Sequence, residues 1–511
     1  MKNNLITAPD GKATRKEWIG LTILILPTLL VSMDMTVTYL ALPVISAALK
    51  PGSAELLWIT DVFGFMEAGL LIVMGSLGDR IGLRKLLVSG ALAFTAASVL
   101  AAFAPSAFWL IIARAIMGIA GATLLPTVLS LIRNMFADDG ERTFAMGLYT
   151  TCFSAGTMLG PIIGGFLLNH FWWGSIFLMP VPLIFLLLLA APTFLPEFKD
   201  AHARTMDWLS AVLLIAATLL MIYGIKQMAQ NGFSLLSIGY MLAGAGLGWL
   251  FIARQKRIPH PLVDWQLFAN AGFNAALAAL FVALFSWSGI FLFVGQYLQS
   301  VLGLPSFVAG LWMLPGAAGS ILLCMTAPVA LKYYSRGSLI AMGLAVLAVG
   351  ISLLCWLTTS SLALLVVAIF LISGGCGITV TLGIDLVVAS APPQKAGAAA
   401  GISETSTAFG SSLGVAILGS IATVLYRGDR WADIPGLPAG SLTDAARSTI
   451  GGAVAEAGRL HNTAILLHAR DVFVHSLHIT AGIAAAVVII MALLVVNFFG
   501  RKKFTGSTAL R

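Results

Sequence analysis

Trp18-Ile-Gly-Leu-Thr-Ile-Leu-Ile-Leu-Pro-Thr-Leu-Leu-Val-Ser-Met-Asp34-Met-Thr-Val-Thr-Tyr39-Leu-Ala-Leu42 is a run of 25 residues with one charge. A helix of ~20 apolar residues crosses a bilayer core of ~30 Å, so the run reads as a membrane span. It is too long for a signal-peptide core and no small-residue cleavage site follows it. Laid along the rest of the chain, the same ruler finds spans near 55–77, 86–104, 107–132, 142–168, 174–195, 207–226 and 235–253. It finds six more near 272–300, 306–331, 338–358, 361–388, 397–425 and 472–499. The expected fold class is an all-α integral membrane protein with fourteen spans. Composition agrees: of 511 residues, 59% are hydrophobic and 10% charged, against about 25% charged in soluble domains. The net charge of +8 does not mark a nucleic-acid binder, because Lys and Arg lie in short gaps between apolar runs rather than in a stripe or tail. Cys152, Cys324, Cys355 and Cys376 all fall inside apolar runs. They read as small packing residues, not as a disulfide framework or metal cluster.

Charge sets the expected orientation. With the N-terminus in the cytoplasm, inside segments hold 21 of the 29 Lys and Arg, and the short outside loops hold only Lys50 and Lys226. The long outside loop 426–471 holds five, and Arg114 lies within a span. That bias is the positive-inside pattern of a multi-pass membrane protein with both termini in the cytoplasm. The chain divides into an N-terminal segment 1–17, a six-helix block 18–195, a linker 196–271 holding two inserted spans, a second block 272–499 and a tail 500–511. The loop 75–85 has a weak echo at Lys332-Tyr-Tyr-Ser-Arg336-Gly337, as parallel repeats of six spans would give. In loop 426–471, Ser441-x-x-Asp444 resembles a helix start and suggests a pair of short amphipathic helices. His461, His468, His475 and His478 read as solvated, since carboxylate or Cys partners at metal-ligand spacing are lacking.

An ionisable group inside a span costs at least ~2.5 kcal/mol at mid-bilayer and normally faces a cavity or a partner. Asp34, Asp61, Glu67, Arg114, Asp385 and Glu404 are of this kind. By helix rise, Asp34, Asp61 and Arg114 lie ~13, ~9 and ~10 Å from the outer ends of their spans. Two carboxylates and one guanidinium at one depth can share protons and one salt bridge, and protonating a carboxylate releases its hold on a cation. Glu404, in Gly401-Ile-Ser-Glu404-Thr-Ser-Thr, has hydroxylic neighbours suited to a hydrated pocket; Glu67 lies nearer mid-membrane. Asp385 lies within a turn of its span's end and is expected to snorkel to water. Trp58, Phe65 and Tyr39 flank Asp61 and Asp34 in sequence. An acid among aromatic faces suits a lipophilic cation, although Trp and Tyr also favour the membrane interface. In the fifth span, Gly156, Gly160 and Gly164 form one bare ridge, with Pro161 and Gly165 beside it. Such a ridge admits a neighbouring helix closely, and Pro161 can bend its own.

The loop Gly75-Ser-Leu-Gly-Asp79-Arg80-Ile-Gly82-Leu-Arg84-Lys85 resembles the signature between the second and third helices of the major facilitator superfamily. Met33-Asp34-Met-Thr36-Val37 through Ala41-Leu42-Pro43, Arg114 to Gly118 with Gly121, and Gly156 to Gly165 resemble motifs of its fourteen-helix drug:proton antiporters. The resemblance spans the whole chain and is greatest to bacterial exporters of quaternary ammonium compounds, dyes and methyl viologen. It implies two six-helix bundles around a central cavity, with two inserted helices. It assigns proton relay and cation binding to Asp34 and Arg114, with Asp61 and Glu404 at matching acidic positions, and an inner gate to Asp79 and Arg80. Leu83 stands where the signature often has a basic residue, and Gly319-Ser320 where some relatives carry an acid.

The function expected from these readings is proton-coupled efflux of lipophilic cations by alternating access, with no cofactor beyond the proton gradient, no metal, no nucleic-acid partner and a monomeric state. A nutrient importer on the same fold is the alternative. An enzyme is disfavoured by the lack of a metal motif or a nucleophile beside a base in the spans, and a channel by scattered single acids in place of a pore-lining ring.

Overall fold

The computed structural model describes residues 13–136, 138–199, 207–231, 234–258, 265–331, 333–391, 396–428, 431 and 442–505. Among them there is no strand. The helices are α1 (Arg15–Leu49), α2 (Ser53–Ile81), α3 (Leu83–Ala102), α4 (Ala107–Met135), α5 (Asp139–His170), α6 (Ser175–Leu178), α7 (Pro180–Phe194), α8 (Trp208–Asn231) and α9 (Leu235–Gln255). They continue as α10 (Ala271–Gln296), α11 (Ser306–Ala330), α12 (Arg336–Leu353), α13 (Leu362–Ala389), α14 (Ala396–Arg427), α15 (Asp444–Ser448), α16 (Ile450–Leu460) and α17 (Thr463–Thr505). Twelve helical segments among the described residues are long and apolar enough to cross a membrane. The other two long helices, α2 and α5, with 29 and 32 residues, stand at the predicted second and fifth spans.

Local chemistry sets the ends. Thr14 and Glu17 form a capping box that starts α1, satisfying backbone donors that a helix N-terminus leaves open. Gly82 ends α2 and starts α3 with φ +114°, a conformation that side chains resist. The predicted helix pair in the long loop is present as α15 and α16. The N-cap of α15 is Thr443, whose hydroxyl accepts from the Ala446 amide at 3.3 Å; Ser441 lies outside the described residues.

One bundle gathers α1 to α7, with α2 paired to α4, α1 to α5 and α3 to α4, around a core that includes Leu24, Phe63, Phe94 and Met117. The other gathers α10 to α14 and α17. The two meet mainly through α2 on α14 and α5 on α11. At the end of the molecule marked by Lys50 the seam is closely packed. Gln299 Nε2 donates to Leu40 O at 2.6 Å, and Ser46 Oγ lies 3.3 Å from Thr449 Oγ1 just before α16.

The inserted helices form a hairpin, α8 on α9, tied where Arg254 Nη2 meets Asp207 Oδ1 at 3.0 Å. Helix α9 turns apolar residues such as Leu242 and Trp249 outward, an apolar face fit for lipid. Helix α8 instead crosses the seam, touching both α2 and α14. Ala211 and Ile215 pack with Leu70 and Met74, and Ile222 with Phe65 and Ala416. This corrects one reading: α8 does not end at 226, and Lys226 is not a loop cation but a helix residue 2% exposed. The charge suggested a boundary, whereas the helix runs on through Gln227-Met-Ala-Gln to Asn231.

Candidate functional site

The site begins with how closely α1 approaches α5. A Cβ on Gly156 would stand 2.5 Å from Leu29 O, and one on Gly160 2.9 Å from Met33 O. The glycine ridge therefore seats the turn of α1 that carries Asp34. From the other side α4 brings Arg114, 1% exposed. Its Nη1 donates to Asp34 Oδ2, its Nε donates to Ile59 O at 3.2 Å, and its guanidinium carbon lies 4.7 Å from the centre of the Phe63 ring. A carboxylate, a carbonyl and an aromatic face together hold this cation.

One step along, α2 presents Asp61, 1% exposed. Its Oδ1 accepts from Thr60 Oγ1 at 3.0 Å, and its Oδ2 lies 2.9 Å from Lys226 Nζ. The same ammonium stands 4.1 Å from the Trp58 ring centre. The predicted layer is thus present but organised differently: Asp34, Asp61 and Arg114 do not share one salt bridge. Each acid has its own cation, and the second comes from α8.

Glu67 is buried on α2, and Asp34, Glu404 and Arg114 lie near enough to act on it electrostatically. Its Oε1 has no hydrogen-bond partner among the described residues. Glu404 on α14 is half-buried. Tyr149 of α5, which sequence reading missed, lies within electrostatic reach of both Glu404 and Glu67. Tyr39 points to Asp61 and to the Ser288 and Ser411 hydroxyls rather than framing Asp34. Phe65 is 1% exposed and packs with Ile222 and Ala416 in the α2–α8–α14 junction. Asp385 is exposed and paired with Arg336 at 2.7 Å, apart from the cluster. Between the bundles, Asp61, Arg114, Tyr39 and Ser411 border a cavity of about 20 Å³. That is room for about one water, far below the ~300–1,000 Å³ of a small-molecule site, so this arrangement is closed to any drug-sized ligand.

That α8 runs past Lys226 was legible, although its burial was not. After Lys226 the run Gln227-Met-Ala-Gln carries no helix breaker before Asn231-Gly232. Tyr149 gave no comparable signal, since it lies in the mostly apolar, uncharged run Phe144-Ala-Met-Gly-Leu-Tyr149-Thr-Thr-Cys-Phe153.

The sequence matches the family model described as Major Facilitator Superfamily over residues 24–415. The chain belongs to the major facilitator superfamily. It is a multi-span membrane transporter, not an enzyme. It is 39% identical to the multidrug efflux pump LfrA of Mycolicibacterium smegmatis, over 97% of this chain and 99% of the relative. It is 32% identical to the methyl viologen resistance protein SmvA of Salmonella typhimurium, over 93% and 97% of the two chains. Among solved structures, a bacterial homolog of the human lysosomal transporter Spinster matches with TM-score 0.64 at 18% identity, over 95% of this chain and 98% of that one. That likeness supports the major facilitator fold alone.

In this major facilitator chain the signature loop is fastened within its own bundle. Leu83 N donates to Phe198 O at 2.9 Å, and Arg84 N donates to Glu197 Oε1 at 3.0 Å. Arg84 Nη1 donates to Leu195 O at 3.1 Å. A Cβ on Gly82 would fall 2.4 Å from Glu197 Oε1. Leu83, in place of a basic residue, is buried in the core with Leu87. Gly75 faces Pro126 and Arg80 is exposed; the Asp79 side chain lies outside the described residues. Pro161 sits inside an unbroken α5, with its carbonyl against Gly310, while Gly164 meets Val37 and Gly165 meets Ser306.

Proposed function

We propose that the chain exports lipophilic cations, such as quaternary ammonium compounds, cationic dyes and methyl viologen, across the bacterial cytoplasmic membrane in exchange for protons. The observation that carries this reading is the pairing inside the membrane. Asp34 and Asp61 are each held by a buried cation, Arg114 and Lys226, while no ion pair joins Glu67 or Glu404 to a cation among the described residues. In a low-dielectric interior a charge is tolerated only when balanced. An arriving cation must therefore displace a proton or a resident cation from these acids, and an arriving proton reverses the exchange. That reciprocity is what antiport requires. The names of LfrA and SmvA support drug and methyl viologen resistance as the substrate class.

In this reading the Lys50 end faces outward and both termini lie inside. The bundles part at the inner end to admit a cation to the acids beside Trp58 and Tyr39. They then part at the outer end, where protons return to the acids and the cation leaves. The test is ethidium efflux from cells making the protein, with Asp34→Asn alongside and an uncoupler as control. Strong efflux that the uncoupler stops and Asp34→Asn abolishes, at equal protein level, is the expected result. Efflux that continues without a proton gradient removes the coupling, and a wild-type chain that moves no cation removes the reading.

A further inference from the structure

We infer that Lys226 is a tethered surrogate for the substrate: its ammonium occupies the cation seat formed by Asp61 and Trp58, and a transported cation binds there only by displacing it. This rests on the cation-export reading above and deepens it.

Two buried cations neutralise the two acids, but they are held in different ways. Arg114 is locked by a carboxylate, a backbone carbonyl and a ring, and its planar fork has little freedom to leave. Lys226 has Asp61 Oδ2 at 2.9 Å and the Trp58 face at 4.1 Å. Beyond this ion pair, neither its Nζ nor that Oδ2 has a hydrogen-bond partner among the described residues. An ammonium with three donors and one acceptor within reach is held by fewer contacts than the Arg114 guanidinium. A lone carboxylate against an aromatic face is instead the recognition set for an organic cation that donates no hydrogen bond, and the ammonium sits in that set.

Position completes the case. Lys226 belongs to α8, outside both six-helix bundles, at the seam where α2 and α14 meet. Its four-carbon stem can swing clear without breaking either bundle. One turn earlier α8 carries Tyr223, whose ring centre is 6.4 Å from that of Trp58, so the seat keeps an aromatic wall after the ammonium leaves. With Lys226 in place, the space beside Asp61 admits about one water. The ammonium also removes the cost of leaving Asp61 charged and empty when no drug is bound, so the inserted hairpin supplies the resting counter-ion of the site.

The test is equilibrium binding of tetraphenylphosphonium to the purified full chain at constant pH. Removing the tethered competitor removes its tax on apparent affinity. Lys226→Gln should bind about tenfold tighter or more, and the gain should vanish in Asp61→Asn/Lys226→Gln. Lys226→Arg, which keeps the pair and so guards against misfolding, should bind more weakly because a fork grips the carboxylate better. Opposite shifts in the two Lys226 variants are not what a merely structural pair would give. Unchanged affinity in both, or a gain that survives loss of Asp61, overturns the inference while wild-type binding keeps the export reading. If the wild-type chain binds no cation, the inference falls together with that reading.

Discussion

At the residue scale the site is governed by the cost of an unmatched charge. Arg114 and Asp34 are almost wholly withdrawn from solvent, with side chains 2% and 4% exposed. Removing one partner strands the other, which costs about 3–5 kcal/mol, whereas replacing both with apolar groups can be neutral. Asp34→Leu and Arg114→Leu should each lower the apparent melting temperature of the purified protein sharply. The double variant should recover most of the loss, and all three should lose efflux. Additive losses in the double variant would show that the pair is not coupled. Asp34→Asn, which keeps an oxygen for the guanidinium, should melt closer to wild type while still losing transport. The layer was legible in the sequence because Asp34, Asp61 and Arg114 sit deep inside their apolar runs and at one depth; which acid Arg114 holds was not. The Asp61–Lys226 pair was not. Lys226 lies near the end of an apolar run, where hydropathy cannot separate a snorkelling terminal lysine from a buried one. Only the neighbour packed against α8 decides between them.

At the scale of elements, helix count was readable because a bilayer fixes length, but boundaries were not: α8 runs to Asn231 and α17 starts at Thr463, before the expected 472. Which face meets which neighbour was not readable either, because lipid is as apolar as a protein core and the usual amphipathic stripe is lost. Helices α8 and α9 read alike, yet α8 is wedged into the bundle seam and α9 faces outward. Glycine spacing was the exception, since a bare ridge announces a close partner even in lipid. Gly160 tests it. A Cβ there would stand 2.9 Å from Met33 O and 2.2 Å from Thr36 Oγ1, so backbone has to move. Gly160→Val should cost about 1–3 kcal/mol by overpacking, displace the turn bearing Asp34, and abolish efflux. At Gly246 on α9 nothing lies within 4 Å of an added Cβ. Gly246→Ala should keep full efflux and gain up to about 1 kcal/mol from helix propensity. Measuring efflux and melting for the two side by side separates a ridge built for contact from glycine merely tolerated in lipid. Equal tolerance at both positions would show that α1 does not need its close seat.

For the whole molecule, the alternating access proposed above demands that contacts closing one end of the seam break once per cycle. The contacts at the Lys50 end are of the kind that can: one hydrogen bond from Gln299 to Leu40 O, the Gly165 backbone against Ser306, and the Ser46–Thr449 hydroxyl contact under the short helices α15 and α16. They sit beside apolar packing, since Leu40, Leu42, Leu56 and Leu57 of the first bundle join the buried core of the second. Apolar side-chain packing and single hydrogen bonds, with no ion pair among these contacts, form a seam that two rigid bundles can open in a rocking motion. The sequence showed six and six spans with an outer loop between the last two, but not that this loop folds down as a cap touching α1, because its contact lies 403 residues away along the chain. A disulfide needs its Cβ atoms ~3.5–4.5 Å apart, and the Ser46 and Thr449 oxygens at 3.3 Å place this pair within small adjustment of that. In a background with Cys152, Cys324, Cys355 and Cys376 replaced by alanine, Ser46→Cys/Thr449→Cys should cross-link on mild oxidation. Ethidium efflux should then stop and return on reduction, while each single cysteine variant is unaffected by the oxidant. Full efflux from the cross-linked protein would mean that the cap stays seated on α1 throughout the cycle, and that the cation leaves by parting the seam elsewhere, between α2 and α14 or between α5 and α11.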